Sequence, residues 1–313
     1  MQEALRQALI HALAPHPAPW LIAVSGGLDS TVLLTAVRQL WPEQRVCAVH
    51  VNHGLQSKAS AFEAATRALC SRLSVELRIC QLQRPLVFEN GLEAWARQAR
   101  YAAIATTALS WGIRNVLLAH HADDQAETFF LNLIRGTGID GLRGMPMYIE
   151  RDDVMWIRPL LLVNRNVLHE HALTWRLVWE EDPSNQDPTY LRNRIRQDLL
   201  PLLETIRPGT HQRIVKLMMD LAKPSADNAD NVNNPVELAC LDLTSIQELS
   251  LIDKRKALHD WVKQIARRAP SRARLNALYD LCFVSKTGRG HLKHGEFVLR
   301  RFEGRLLAEP IKF

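Results

Sequence analysis

The sequence contains no Gly-Lys dipeptide, which excludes a Walker A phosphate-binding loop. Its five cysteines form no C-x-x-C pair, and their odd number favours free thiols in a reducing cytoplasm over a disulfide framework. No apolar run approaches the roughly 20 residues that span a bilayer. The N-terminus lacks a basic region followed by an uninterrupted apolar one, so a secretory signal is not expected. These absences predict a cytoplasmic globular protein that has no membrane partner.

Length and charge indicate two domains of different character. The chain has 313 residues, enough for two cores, and an ordinary composition of 47% hydrophobic and 23% charged residues. Residues 1–235 contain 24 basic and 24 acidic side chains, whereas residues 236–313 contain 15 and 9 and so supply the whole net charge of +6. A basic segment attached to a neutral one indicates contact with a polyanion. A solvated surface with extra lysines is the alternative.

Apolar strands alternate with helix-period segments through the first half of the chain. The predicted strands are 20–24, 45–51, 75–82, 115–120 and 154–161, and the predicted helices are 30–41, 60–73, 91–111 and 123–136. This alternation predicts an α/β fold with a doubly wound, mostly parallel sheet. In such a sheet, ligands bind beyond the carboxyl ends of the strands, where the strand order reverses.

The clearest domain boundary is the Asn- and Asp-rich segment 223–235, where the charge balance also changes. We therefore predict a first domain at 1–222, which includes a helical extension from about residue 187, a linker at 223–235, and a small α+β domain at 236–313. Within the first domain, the glycine-rich segment 136–146 is predicted to be a loop. That loop is either functional or a plain surface connection.

The hexapeptide SGGLDS (residues 25–30) lies between a predicted strand and a predicted helix. A glycine pair lets the backbone turn tightly, and the free N–H groups at a helix start favour an anion. Asp29 beside phosphates makes sense only if Mg²⁺ or a donor lies between them. The turn lacks the G-x-G-x-x-G pattern, which disfavours a dinucleotide fold. The alternative is a tight strand–helix turn with Ser30 as the helix N-cap.

The stretch HHADDQAET (120–128) follows the fourth predicted strand. Helical spacing puts Asp124 and Glu127 on one face with His120 one turn earlier. Such a face could be a metal site, a general-base pair or an ammonium-binding pocket. Acids that complement the helix dipole would explain Asp124, but not Glu127 or the histidines. A zinc site of His120, His121 and Asp124 is disfavoured because no H-E-x-x-H motif or cysteine ligand accompanies it.

Basic side chains in three segments of the chain are further candidate site residues. The candidates for contact with phosphate or nucleotide are His50, Arg97, Arg100, Arg192, Arg194 and Arg196. Strand-end polarity, helix-surface ion pairs or an exposed basic helix are the competing explanations. An exposed basic helix does not explain why the acidic turn at 182–185 precedes the last three arginines.

SGGLDS resembles the SGGxDS PP-loop of the N-type ATP pyrophosphatases. Together with HVNHGL, EAWARQARY, HHADDQAET, RGTGIDGLRGM, IRPLL and WEEDPSNQD–YLRNRIR, it makes residues 20–205 resemble the tRNA(Ile)-lysidine synthetase family. SRARLNALYDL and FVLRRFEG resemble that family's first C-terminal domain more weakly. Longer members carry a second C-terminal domain, for which this chain ends too early.

The resemblance implies an adenine nucleotide alpha hydrolase-like fold and a carbon–nitrogen ligase. The family adenylates C2 of the wobble cytidine of the CAU-anticodon tRNA(Ile) with ATP, then attaches L-lysine to form lysidine, which switches decoding from AUG to AUA. The implied ATP-binding residues are Ser25, Gly26, Gly27, Leu28, Asp29, Ser30, His50 and Arg100. The implied lysine- or tRNA-binding residues are His120, Asp124, Glu127, Arg192 and Arg196. The implied catalytic residues are Asp29, Asp124 and Glu127, with Asp29 also near Mg²⁺. The oligomeric state stays open, with a homodimer among the options.

Three rival functions make different demands on the sequence. A sulfur-transferring tRNA enzyme with the same loop needs catalytic cysteines, but Cys47, Cys70 and Cys80 have apolar neighbours typical of core thiols. An ammonia-using ligase for a small metabolite does not need a basic appended domain. A nucleotide-binding module without enzymatic activity does not need the Asp124 and Glu127 face, and it would bind ATP without releasing pyrophosphate.

Overall fold

A computed structural model describes residues 1–52, 59–83, 85, 91–182, 187–222, 240–266, 269–284, 291–295, 297–302 and 304–310. The chain divides into two compact units: Met1–Leu131 with Met145–Leu217, and Asn132–Gly144 with Met218–Phe313. The predicted linker at 223–235, residues 53–55 of HVNHGL and turn residues 183–185 lie outside the described ranges. Within those ranges, none of the helices combines the length and hydropathy that a bilayer-spanning segment requires.

The first unit is built on a six-stranded sheet with the order β3-β2-β1-β4-β6-β5. Its strands are β1 (Trp20–Ala23), β2 (Val46–Asn52), β3 (Glu76–Gln81), β4 (Asn115–Leu117), β5 (Tyr148–Arg151) and β6 (Val154–Ile157). Every pairing is parallel except that of β5 with β6, which is antiparallel. The predicted doubly wound, mostly parallel α/β sheet is therefore confirmed.

Helices connect and flank these strands along the chain, and the short helix at Ile139–Leu142 belongs to the second unit. They are α1 (Glu3–Leu13), α2 (Leu28–Leu40), α3 (Ala59–Arg72), α4 (Leu92–Ser110), α5 (Ala122–Ile134), α6 (Ile139–Leu142), α7 (Arg165–Thr174), α8 (Leu191–Arg194), α9 (Leu200–Ile206) and α10 (Thr210–Ala222). A π-helical turn at Ile195–Leu199 joins α8 to α9. Short α6 lies inside the segment 136–146 that the glycine content predicts to be a loop, so that prediction is only partly correct.

Both faces of the central strands β1, β2, β4 and β6 are buried, which explains why these strands are almost continuously apolar. Trp20 and Ile22 of β1 belong to a core shared with α1, α2 and α7, whereas Leu21 belongs to a core shared with α4. Successive side chains of a strand point to opposite faces, so β1 supplies both cores. Apolar residues alone therefore do not distinguish the two faces.

Three elements of the first unit, α1, α7 and β5, are absent from the predictions. Helix α1 has the helical apolar spacing Leu5, Leu9 and Leu13, and all three side chains are buried. Strand β5 is a polar, mostly exposed edge strand that gives no apolar signal. A two-residue turn joins it to β6, and both turn residues, Asp152 and Asp153, have a φ of 57°. Positive φ at both turn positions matches the right-handed twist of a hairpin.

The second unit contains a four-stranded antiparallel sheet with the order β7-β10-β9-β8. Its elements are β7 (Cys240–Asp242), α11 (Leu251–Ala266), α12 (Arg272–Tyr279), a π-helical turn at Asp280–Val284, β8 (His291–His294), β9 (Phe297–Phe302) and β10 (Arg305–Pro310). Leu258 and Trp261 of α11 pack against Leu299 and Leu306 of the sheet. The predicted α+β class is confirmed, and β8, β9 and β10 form a three-stranded meander with β7 added at one edge.

Residues 136–141, GTGIDG, satisfy G-x-G-x-x-G, a match that the sequence prediction overlooked. The structure places this segment after helix α5 instead of after a strand. The dinucleotide motif requires a preceding strand and a following helix of full length. The match therefore does not indicate a dinucleotide site.

Candidate active site

The candidate site lies at the carboxyl ends of β1, β2 and β4. β1 is central, with β2 on one side and β4 on the other, so the strand order reverses there. Ligands of doubly wound sheets bind at such a reversal. A cleft of about 850 Å³ opens at this point. All the predicted site residues line it except Gly26, Glu127 and Arg194.

The SGGLDS turn fixes itself through its own hydroxyl groups. The Ser30 hydroxyl donates to the Gly27 carbonyl at 3.1 Å and accepts from the Ser25 backbone N–H at 3.1 Å. The Ser25 hydroxyl therefore donates to the Ser30 oxygen at 3.0 Å and accepts from the Gly27 N–H at 3.2 Å. Gly27, not Ser30, is the N-cap of α2. The alternative that treated Ser30 as the N-cap is wrong.

Gly26 is a glycine because of both its backbone angle and its surroundings. Its φ is +87°, and a Cβ at this position would lie 2.6 Å from the carbonyl oxygen of Phe62 in α3. The Gly26 carbonyl accepts a hydrogen bond of 3.0 Å from the Glu180 N–H. The turn is therefore held between α3 and the segment that begins at Trp179, and it cannot widen to admit a side chain.

Replacing Gly26 with alanine should remove ATP use and lower the melting temperature. The methyl group would meet a backbone oxygen that cannot rotate away, and the positive φ adds roughly 1–2 kcal/mol of strain. We expect pyrophosphate release to fall by more than about tenfold, since misplaced phosphate contacts reduce rates strongly. Single-turnover assays and thermal melts measure the two effects.

Gly112→Ala is the matched control for this variant. Gly112 also has a positive φ, +68°, but a Cβ there would meet nothing within 4 Å. The control carries the same backbone strain without the collision. If the two variants lose equal stability and the Gly26 variant keeps full activity, the close approach of α3 is not what fixes this turn.

His50 supports the turn from the end of β2. Its Nδ1 lies 2.9 Å from the carbonyl oxygen of Val24, which can only accept, so Nδ1 carries the proton. Burial lowers the pKa of His50, although the Val24 bond and the charge of Glu63 oppose that effect. The ring is therefore neutral near pH 7. Its predicted role in binding ATP stays a prediction.

Two carboxylates of α5 meet two arginines of the helical extension. Arg192 Nε lies 2.5 Å from Glu127 Oε2, and Arg196 Nε lies 2.5 Å from Glu127 Oε1. Asp124 Oδ1 accepts from Arg192 Nη2 at 2.9 Å. Glu127 has 0% exposure, whereas Asp124 lines the cleft. Asp124 is thus the acid that a ligand can reach, and Glu127 is committed to the arginines.

The pKa of Asp124 is lowered despite its burial. Burial alone would raise it, but the charges of His121 and Arg192 outweigh that effect. The His121 backbone N–H also donates to Asp124 Oδ2 at 3.0 Å. Asp124 is therefore a carboxylate at neutral pH, able to hold a cation.

The adjacent histidines of HHADDQAET have opposite electrostatic environments. Burial lowers the pKa of His120 to about 3, with Arg158 adding to the effect, so this ring is neutral. Burial would also lower the pKa of His121, which is 2% exposed, but Asp124, Asp29 and Asp123 raise it overall. In the described part of the chain, no group of three or more metal-ligating side chains could hold a metal ion. The zinc alternative therefore gains no support.

Sequence reasoning missed Arg165 and considered His121 only as a zinc ligand. His121 Nε2 lies 3.6 Å from Asp29 Oδ2 and 3.5 Å from Asp124 Oδ2, and so joins the phosphate turn to the acid face. Its position within the HHADDQAET motif was a usable signal. Arg165 begins α7, and its Nε lies 3.9 Å from Asp29 Oδ1. Nothing in the sequence near Arg165 marks it, because its neighbours in the site come from distant segments.

The cysteines of the first unit do not form a reactive site. Burial raises the pKa of Cys47, where Arg45 opposes the effect, and raises that of Cys70 to about 11. Cys80 lies on β3 with its sulfur 3.4 Å from the Thr107 hydroxyl. Thiols held protonated at neutral pH are poor nucleophiles. The predicted core role of these cysteines fits their positions, and the sulfur-transfer alternative gains no support.

Comparison with protein families matches two segments of the chain. Residues 1–203 match the PP-loop domain, and residues 241–307 match the TilS substrate binding domain. The first match covers the sheet and the candidate cleft, and the second covers most of the four-stranded sheet with α11 and α12.

Three proteins of similar sequence have the same name, tRNA(Ile)-lysidine synthase. A tRNA(Ile)-lysidine synthase of Polaromonas naphthalenivorans is 36% identical over 88% of this chain and 84% of that protein. One of Hydrogenovibrio crunogenus is 32% identical over 94% of this chain and 74% of that protein. In a third, from Pseudomonas aeruginosa, the identity is 38% but the match spans only 55% of that longer protein.

A solved structure shares the fold. The U34-tRNA thiolase NcsA from Methanococcus maripaludis, with its [4Fe-4S] cluster, aligns with a TM-score of 0.59 at 17% identity over 71% of this chain and 79% of that one. At this identity the likeness concerns the fold alone. By its family matches and its relatives in sequence, the chain belongs to the tRNA(Ile)-lysidine synthase family of PP-loop proteins.

Proposed function

We propose that this chain uses ATP to attach lysine to the wobble cytidine of tRNA(Ile), forming lysidine. The observation that carries the proposal is that a single cleft contains both the phosphate-binding turn and an acid face that can hold a cation. His121 lies within 3.6 Å of an acid from each group. A two-step ligation needs these two parts side by side, because the adenylated cytidine must react with the lysine amine before it dissociates from the cleft.

In the first step, O2 of the cytidine forms a bond to the α-phosphorus of ATP. The bond from that phosphorus to the bridging oxygen breaks, and its electron pair leaves with pyrophosphate. The SGGLDS turn supplies backbone N–H groups at the start of α2 for the departing anion. Arg100 lines the same cleft from α4 and is the predicted phosphate contact on that side.

In the second step, the ε-amine of lysine attacks C2, the C2–O2 bond breaks, and AMP leaves with the oxygen. The amine arrives as an ammonium and must lose a proton before it attacks. Asp124 is the acid in reach of the cleft and is ionised, so we assign it to hold the ammonium and accept that proton. We assign Glu127 to positioning Arg192 and Arg196, since both its oxygens bind them.

Asp29 is a suitable ligand for Mg²⁺. Its Oδ1 is buried and accepts no hydrogen bond, and Mg²⁺ prefers one or two carboxylates together with phosphate oxygens. When bound, Mg²⁺ would neutralise charge on the pyrophosphate as it leaves. Among the described residues, the absence of a larger ligand cluster fits a cation that arrives with ATP.

The basic second unit is assigned to tRNA binding. It holds the TilS substrate binding match and the charge excess of residues 236–313. Phosphate contacts there would give affinity, while the shape of the RNA gives selection. A cytoplasmic location follows for an enzyme with this substrate. A homodimer stays a prediction.

The test is ATP–pyrophosphate exchange with an unmodified tRNA(Ile) transcript that carries the CAU anticodon, followed by incorporation of labelled lysine. We expect both activities with this transcript and neither with a methionine tRNA, which has the same anticodon. Exchange without tRNA, or with every tRNA, would contradict the proposal. ATP binding with no pyrophosphate release would instead support a non-enzymatic nucleotide-binding module.

A further inference from the structure

Part of the positive charge that lines the cleft is already paired with carboxylates of the protein. Arg192 and Arg196 bind Glu127 and Asp124. The guanidinium of Arg97 lies over the ring of Tyr101, 5.5 Å from its centre. An ATP molecule that enters the cleft brings several negative charges, which need cations not committed in this way.

Arg165 is such a cation, and it stands beside the phosphate-binding turn. Its side chain is 43% exposed, and it lines the cleft. Its Nε forms a long ion pair with Asp29 Oδ1 at 3.9 Å, beyond hydrogen-bond distance. Its donors are therefore available, and an arginine presents them in a planar fork that suits phosphate oxygens.

The backbone of Arg165 is fixed even though its side chain is available. Its N–H donates to Asp123 Oδ1 at 3.1 Å, which ties the start of α7 to the start of α5. Burial of Leu168 and Ala172 holds the next turns of α7 against the sheet core. The guanidinium is thus carried on a rigid element, and only its flexible stem has to move a few ångströms to reach an anion on the turn.

We propose that Arg165 binds the pyrophosphate that leaves ATP, opposite the backbone N–H groups of the SGGLDS turn. The proposal rests on the proposed adenylation, in which the electron pair of the broken bond moves onto the pyrophosphate. Arg165 would meet that growing charge from the α7 side. Nothing in the sequence or the family comparison assigns this residue.

The test compares Arg165→Ala and Arg165→Lys by titration calorimetry with two probes, inorganic pyrophosphate and AMP, in magnesium buffer. We expect the alanine variant to bind pyrophosphate at least about tenfold more weakly while its AMP affinity changes by less than about twofold, since AMP lacks the β- and γ-phosphates. The lysine variant, which keeps the charge but not the fork, should lie between. Arg72→Ala, an exposed arginine of α3 away from the cleft, is the matched control.

Three results would overturn the proposal. They are unchanged pyrophosphate affinity in the alanine variant, an equal loss of AMP and pyrophosphate affinity, and no measurable pyrophosphate binding by the unchanged protein. The second would mean that Arg165 merely supports the shape of the cleft. These binding measurements need no tRNA or lysine. If the protein formed no lysidine but the pyrophosphate difference held, the proposed function would fail while the role of Arg165 stood.

Discussion

Asp124→Asn should abolish lysine transfer while leaving adenylation largely intact. Asparagine keeps the size of the side chain and an oxygen that can accept from the His121 N–H, but it has no charge to hold an ammonium and no basicity to take its proton. Loss of a general base costs about 10²–10⁴-fold, and loss of the charge adds to that. We therefore expect lysine transfer to fall by at least about a thousandfold.

The measurement separates the two steps. Pyrophosphate release with tRNA(Ile) reports the first step and should stay within about tenfold of the unchanged enzyme, since Asp124 is assigned no contact with the leaving phosphates. Lysine incorporation reports the second. Asp198→Asn is the matched control, because Asp198 is an exposed acid paired only with Arg194 at 3.8 Å among the described residues. Lysine transfer at the wild-type rate in the Asp124 variant would remove this residue from the mechanism.

Glu127→Ala should destabilise the folded protein strongly. The side chain is fully buried, and each of its oxygens binds one arginine at 2.5 Å. Removing one partner of an ion pair costs about 3–5 kcal/mol when the charge left behind is buried, but Arg192 and Arg196 are 40% and 30% exposed. Asp124 remains as a partner for both guanidiniums, at 2.9 Å from Arg192 and 3.6 Å from Arg196, so the loss should lie toward the lower end of that range.

Urea unfolding measures this loss, and two further variants make it interpretable. Glu127→Gln keeps one acceptor and the volume, so it should lose less stability than the alanine variant and stay folded for assay. Glu3→Ala removes an exposed partner of Arg6 and should change the free energy of unfolding by no more than about 1 kcal/mol. Equal losses for Glu127→Ala and Glu3→Ala would show that the buried cluster does not hold the helical extension against α5.

The sequence predicted those parts of the site whose structure depends only on residues close together along the chain. The SGGLDS turn is encoded within six residues, because the glycine pair and the two serines make the turn and its hydrogen bonds among themselves. The face of α5 likewise follows from helical spacing. Apolar runs bounded by turn residues predicted the order of strands and helices. The identity of the substrates was inferred from the resemblance to the lysidine synthetase family.

Elements without a buried apolar face left no signal in the sequence. Strand β5 is polar and mostly exposed, so it was not recognised, although a two-residue turn pairs it with β6. The segment 136–146 was interpreted from its glycines as a loop, yet it holds the short helix α6. In both places the local composition favours irregular structure, and pairing or packing with the rest of the chain decides otherwise.

Some properties of the site were decided only by the tertiary structure. The sequence proposed Asp124 and Glu127 as an equivalent pair, but folding brings Arg196 from 69 residues away onto Glu127 and leaves Asp124 facing the cleft. It also places Arg165 beside Asp29 and His121 between two acids. Such contacts depend on how the helices cross the sheet, which no local pattern encodes. The sequence alone thus identified the turn that is the candidate phosphate site and the helix that carries the acids. The packing of α7 and α8 against α5 decided which charges stay free to act, because an ion pair forms only where two distant helices bring opposite charges within a few ångströms.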